Sequence, residues 1–113
     1  MLSLRPGYLT FGEGNSSGLR HYQADSHLYA WLEAKNFEYD LITDHDLHEN
    51  GIDAIKGYKA LCTGTHPEYH TLQTLNAIQD YRSQGGRLIY LGGNGFYWKI
   101  ALSQEKSSIV EIR

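Results

Sequence analysis

With one cysteine in 113 residues, Cys62, no intrachain disulfide can form. It sits in the apolar run Tyr58-Lys59-Ala60-Leu61-Cys62 and reads as a small core residue. No apolar run approaches the roughly 20 residues of a membrane helix. Arg5 and Pro6 come early with no apolar stretch after them, so no signal peptide is expected, and a cytoplasmic address is the default. Basic residues are few and scattered: 10 Lys and Arg against 13 Asp and Glu leave a net charge of -3. Neither a stripe for nucleic acid nor a polybasic membrane patch can be assembled from them. The chain also lacks internal repeats and low-complexity segments.

What is present fits one small globular domain. Hydrophobic residues make up 41% and charged residues 20%, which argues against disorder. Nine tyrosines against three phenylalanines point to amphipathic surfaces, facing a partner chain or a site, or lining the edges of a small core.

Periodicity and turn residues divide the chain into alternating elements. Gly7 to Phe11 is β-prone and runs into a polar, glycine-rich loop, Gly12 to Gly18. A helix is expected from Asp25 or Ser26 to about Asn36, with Leu28, Trp31 and Leu32 as its apolar stripe. Tyr39 to Thr43 reads as a strand, Ile52 to Lys56 as a short helix with Ile52 and Ile55 on one face, and Ala60 to Thr63 as a second short strand. His70 to Gln84 reads as a helix burying Leu72, Leu75, Ile78 and Tyr81, closed by Gly85-Gly86 in positive-φ positions. Arg87 to Leu91 is the clearest strand, Phe96 to Ala101 is a helical turn or a strand, and Ile109 to Ile112 is a last strand. Strands alternating with helices over short loops predict an α/β domain with a mostly parallel sheet. The expected form is a three-layer αβα sandwich of the flavodoxin type.

Ligands in such folds bind outside the carboxyl ends of the strands. Three segments follow predicted strands: Asp44-His45-Asp46-Leu47-His48, Thr65-His66-Pro67-Glu68-Tyr69 and Gly92-Gly93-Asn94-Gly95. In the second, Pro67 stiffens a turn carrying His66 and Glu68, which suit metal ligation or acid/base work. Equally, Glu68 could do no more than favour the N-terminus of the following helix. The first has metal-ligand residue types, yet it reads better as a solvated or pocket-lining stretch, with an aspartate capping a helix. The third has the shape of a nucleophile elbow, but its central residue, Asn94, is no nucleophile. What remains for Asn94 is hydrogen bonding to a substrate carbonyl or oxyanion, or plain chain reversal. Neither glycine-rich segment has the spacing of a phosphate loop, so NAD and ATP lack motif support.

Thr63-Gly64-Thr65-His66-Pro67-Glu68-Tyr69 and Arg87-Leu88-Ile89-Tyr90-Leu91-Gly92-Gly93-Asn94-Gly95-Phe96-Tyr97-Trp98 closely resemble the large (beta) subunit family of N,N-dimethylformamidase. Tyr39 to His48 is similar to that family too, and the resemblance extends from about Gly18 to Ala101. It implies a C-terminal domain with a class I glutamine-amidotransferase-like fold, part of a longer large subunit that pairs with a small subunit. It also implies hydrolysis of short N-alkylated formamides to formate and an amine, on a mononuclear iron held by two tyrosines and one glutamate. Carried over, Glu68 matches the glutamate ligand, His66 an active-site histidine, and Asn94 a polar residue of the same pocket. His45, Asp46 and Gly93 fall at the pocket's edge. As the motifs align, the two tyrosine ligands lie before residue 1. A non-catalytic binding or subunit-assembly module, using exposed aromatics such as Tyr97 and Trp98, is therefore the competing reading. A flavin-binding relative is a third and weaker one, since no hydroxyl-rich phosphate loop follows the first strand. Self-association through an uncovered apolar face is expected.

Overall fold

The computed structural model describes residues 21–103 and 109–112, so the expected strand at Gly7 to Phe11 and the loop after it lie outside the described residues. The chain divides into two compact units, Met1–Glu38 and Tyr39–Arg113.

In the first unit, helix α1 spans Tyr22–Ala34 and starts earlier than the expected cap. Ser26 does not cap it: its hydroxyl donates back to the Gln23 carbonyl at 2.7 Å. The first turn opens instead at His21, in the left-handed region at φ 71°. The end of α1 is explained by local chemistry. Asn36 takes φ 54°, its N–H donates to Glu33 O at 3.0 Å, and the Phe37 N–H donates to Leu32 O at 3.1 Å. These two bonds define a Schellman cap with Asn in the left-handed position. The Phe37 ring packs on Trp31, centroids 5.6 Å apart, supplying the apolar contact usual to that cap.

In the second unit, Tyr39 to Thr43 forms no ladder among the described residues. Among the described residues no strand pairs with it, and Leu41 is 64% exposed. The stretch expected to be a loop, by contrast, is helix α2, Asp44–Asn50. Thr43 caps it in a reciprocal box with Asp46. The Asp46 N–H donates to Thr43 Oγ1 at 3.1 Å, while Asp46 Oδ2 accepts from the Thr43 N–H at 2.8 Å and the Thr43 hydroxyl at 2.6 Å. Gly51, at φ +56°, ends α2 and leads into a 3-10 turn, Gly51–Ala54.

The capping box has a pH consequence. Hydrogen bonds from the Thr43 hydroxyl first, and from its backbone N–H second, hold the Asp46 carboxyl below its ordinary 3.8. A carboxyl lowered in the folded state adds stability that is complete above the unfolded pKa and is lost as pH falls through the folded one. Asp46→Asn is therefore expected to lower the thermal midpoint at neutral pH, with the difference from the parent closing as pH falls below the ordinary 3.8 and through the lowered folded-state value. A difference that persists unchanged into acid would refute the role.

Strand β1, Ala60–Cys62, pairs in parallel with β3, Arg87–Ile89, and the connection between them carries helix α3, Leu72–Ser83. Thr71 caps α3, its hydroxyl accepting from the Thr74 N–H at 3.2 Å. The helix ends as α1 does: Gly85 at φ +91° sends its N–H to Arg82 O, and the Gly86 N–H goes to Tyr81 O. Its buried stripe is Thr74, Ala77, Ile78 and Tyr81, whereas Leu72 is half exposed. The apolar pattern found Ile78 and Tyr81, while Leu75 is only partly buried and Thr74 and Ala77 complete the stripe. Strand β2, Tyr69–His70, lies parallel to β4, Trp98–Leu102, and β4 lies antiparallel to β5, Val110–Ile112.

Leu47, Ile55, Ala77, Ile78 and Tyr81 form the core, with Ile52, Ala54, Leu61 and Leu88 packed against it. Ile52 and Ile55 thus share a face as expected. Leu61 and Leu88 face the helices, so the other face of the β1–β3 pair carries Cys62 and Ile89, both exposed. Cys62 is accordingly not a core residue, although what burial it has pushes its thiol pKa up. The described residues therefore make a mixed α/β fold of two small sheets, two-stranded and three-stranded, rather than one continuous layered sheet.

Candidate functional site

Because β1 and β3 are parallel and in register, the chain leaves both at the same end. The Thr63 N–H still reaches Ile89 O at 3.0 Å, and the Thr63 hydroxyl accepts from the Leu91 N–H at 3.1 Å, so the two exits stay together. Past that point the segment 65–69 is joined by main-chain bonds to residues 96–98, which directly follow the segment 92–95. The Phe96 N–H donates to Pro67 O at 2.7 Å, and the Tyr97 and Trp98 N–H groups donate to Glu68 O at 3.1 and 2.9 Å. Two of the three expected loops converge.

The centre of this convergence is His66 and Glu68. Nε2 of His66 lies 2.9 Å from Oε2 of Glu68, and the side chains are only 18% and 14% exposed. The Glu68 N–H closes a tight turn onto His66 O at 2.9 Å, with Pro67 between them. With the carboxylate ionised, the Nε2–H donates to it, which fixes the ring's orientation.

Gly93 sits directly against this pair. A Cβ there would come within 2.5 Å of His66 Nδ1 and 2.6 Å of Thr65 O, and the residue has φ +69°. Asn94 follows at the centre of a three-residue turn, closed by the Gly95 N–H onto Gly93 O at 2.7 Å, and its side chain is exposed. The shape expected of a strand followed by a glycine-flanked turn is realised.

Two supporting residues escaped the sequence reading. His70 is 5% exposed, its Nε2–H donates to Pro67 O at 3.1 Å, and its ring stacks on Phe96 at 4.7 Å. Phe96 adopts φ 56°, a conformation that costs energy for a non-glycine residue and persists where packing holds it. Alternation in β2 could have flagged His70 as inward-facing; nothing local marks Phe96.

The third expected segment is placed differently. His45 and Asp46 are exposed residues of α2, and the Asp46 carboxylate is committed to Thr43. His45 lines a cleft of about 150 Å3 with Asp44, Tyr69, Thr71 and Thr74, and only Tyr69 belongs to the His66–Glu68 segment. A larger hollow of about 550 Å3 lies at the opposite ends of β1 and β3, bordered by Lys56, Lys59, Tyr81 and Arg87. It holds none of the expected site residues.

The donors fit iron only in part. Among the described residues no three His, Cys, Asp or Glu side chains are grouped to hold a metal. Glu68 offers one carboxylate, with His66 hydrogen-bonded to it, which leaves a mononuclear centre short of ligands. Among the described residues no helix is long and apolar enough to cross a membrane.

Comparison with known proteins places this geometry in a family. Residues 1–113 match the family described as N,N-dimethylformamidase beta subunit-like, C-terminal. The N,N-dimethylformamidase beta subunit of Paracoccus aminophilus is 44% identical over 90 residues, covering 80% of this chain and 12% of that protein. The N,N-dimethylformamidase beta subunit of an Alcaligenes species is likewise 44% identical over 90 residues, with the same coverage. The chain thus spans about an eighth of the length of the curated relatives it matches, and it belongs to the N,N-dimethylformamidase beta subunit-like C-terminal family.

Proposed function

We propose that this chain supplies one wall of the active site of a linear-amide hydrolase acting on short N-alkylated formamides. The observation that carries the reading is the His66–Glu68 pair, 2.9 Å apart and largely buried, against which the Asn94 turn is held. In hydrolysis water adds to the formyl carbon, the C–N bond breaks, and formate and an amine leave. Three groups here suit that chemistry. Glu68 is a carboxylate in a half-dry setting, His66 can hold a proton at Nε2 against it, and the Asn94 amide can donate to an oxygen that gains negative charge. Iron is part of the same reading, with Glu68 as one ligand and the remaining donors contributed by the longer polypeptide. Partnership with a small subunit, a cytoplasmic address and completion of a three-layer amidotransferase-like sandwich also belong to this proposal. The bare face of β1 and β3 supports the last, since parallel strands are normally covered on both sides.

The test is formate release from N,N-dimethylformamide by the enzyme assembled from the full-length polypeptide. Asn94→Ala is expected to lower kcat about 10²–10³-fold, the loss typical of one oxyanion donor. An unchanged kcat would remove Asn94 from the chemistry.

A second reading, an assembly module without its own catalysis, is favoured by one specific feature. Tyr97 is 66% and Trp98 42% exposed, their rings packed edge-to-face at 5.2 Å beside the site, a surface suited to burial by a partner chain. Its mark would be loss of subunit association in Tyr97→Ala, together with full activity in Glu68 variants.

A further inference from the structure

We infer that Tyr90 is a positioning residue that sets the turn presenting Asn94, an inference resting on the hydrolase reading for its functional half. The Tyr90 hydroxyl spans the turn from below. It donates to Gly93 O at 2.8 Å and accepts from the Gly95 N–H at 3.1 Å, thus gripping both peptide groups that flank Asn94. Gly93 O and the Gly95 N–H are also the two atoms whose mutual bond closes the turn. One phenol therefore reads the turn's closure directly.

The fit is steric as well as polar. A Cβ at Gly95 would overlap the Tyr90 ring and hydroxyl, so the chain passes over the phenol with no room for a side chain. Gly95 does not need a positive φ, and its requirement for glycine comes from this close approach. Each glycine beside Asn94 thus has its own neighbour: His66 under Gly93 and Tyr90 under Gly95. Asn94 is held between an active-site histidine on one side and a structural phenol on the other. The Tyr90 ring also lies 6.1 Å from Phe96, which stacks on His70, so the phenol is anchored to the support of the Glu68 segment.

Its position is what makes the role specific. Tyr90 directly follows β3 and is 47% exposed, so it contributes little to the core. Removing only its oxygen should leave folding intact and loosen only residues 93–95.

Two variants remove the clamp from opposite sides. Tyr90→Phe deletes the hydroxyl and keeps the ring, whereas Gly95→Ala keeps the hydroxyl and pushes the ring away. In the full chain, amide exchange at position 95, relative to the intrinsic rate of the residue there, is expected to accelerate about tenfold in both, the scale of one lost hydrogen bond. Exchange in α3 and at Leu61 and Leu88 should stay unchanged. Unaltered protection at position 95 in both variants, or a loss spread evenly into α3, would overturn the inference.

In the assembled enzyme, Tyr90→Phe is expected to lower kcat for N,N-dimethylformamide several-fold with KM little changed. It should add nothing once Asn94 is already Ala, because its effect passes through that side chain. Additive losses in the double variant would overturn the positioning role. An Asn94→Ala enzyme of full activity would instead remove Asn94 from the chemistry, and with it the functional half of the inference, and leave the exchange result standing.

Discussion

Glu68→Gln is expected to reduce formamide hydrolysis by the assembled enzyme about 10²–10⁴-fold while leaving the domain folded. The substitution keeps the side chain's length and volume. Its carbonyl oxygen can still accept from His66 Nε2–H, so the 2.9 Å contact and the turn over Pro67 have no steric reason to change. What disappears is the negative charge. In the proposed reading that charge holds a metal, whose hard oxygen donors are carboxylates rather than amides. The loss should therefore show in two readouts, formate release and bound iron, with the thermal midpoint within a degree or two of the parent. The main chain of Glu68 is held by Tyr97 and Trp98 whatever the side chain, which is why folding should survive. Full activity in this variant would remove the enzyme reading of the site and leave the assembly reading in its place. Lost activity with iron retained would keep the acid/base role of the pair and discard Glu68 as a ligand.

Gly93→Ala is the second large effect, and it works through shape. Two separate penalties meet at this residue. Its φ of +69° lies in the left-handed region, which costs an L-residue roughly 1–2 kcal/mol. The new methyl would also press on His66 Nδ1, at 2.5 Å, and on the Thr65 carbonyl, at 2.6 Å. One of these is backbone and cannot swing aside, so His66 must turn or the turn must lift. A destabilisation of about 2–4 kcal/mol by urea unfolding is expected, together with a displaced His66 ring resonance. Gly92→Ala separates the two penalties. Gly92 has φ +100° but open space around it, so only the backbone cost applies, and His66 should not move. Equal losses in the two variants, with His66 undisturbed in both, would show that the Gly93–His66 contact has no energetic weight.

Parts of the fold were legible because local chemistry decides them. The apolar runs at Ala60 and Arg87 became β1 and β3, and Gly85-Gly86 closed α3 as glycines in a cap do. Other parts were misread because two local signals competed. Asp44 to Asn50 is too polar to look like a helix, and its start depends on Thr43 and Asp46 forming a box in which aspartate stands for the commoner glutamate. Tyr39 to Thr43 has strand composition, but a strand also needs a neighbour to pair with, which composition does not reveal. On α3 the buried face is set by what lies opposite: Ala77, Ile78 and Tyr81 cluster with Leu47 and Ile55, while Leu72 stays out.

The same division holds for the candidate site. By itself the sequence singled out the candidate residues: a stiff His-Pro-Glu turn, a glycine-flanked Asn94 after the best strand, and motifs resembling the family's that contain Glu68, His66 and Asn94. These are properties of residue type and short spacing, and they survive without coordinates. Only the tertiary structure decided that His66 and Glu68 face each other, and that Gly93 lies beneath no side chain but against His66. It alone shows that Tyr90 grips the turn at both ends and that His70 and Phe96 support it from below. It also showed that Asp46 pairs with Thr43 in the box that caps α2. The physical reason is range: capping, turning and pairing propensity act within a few residues, whereas a site is made by contacts between segments that only the packing of β1, α3 and β3 brings side by side.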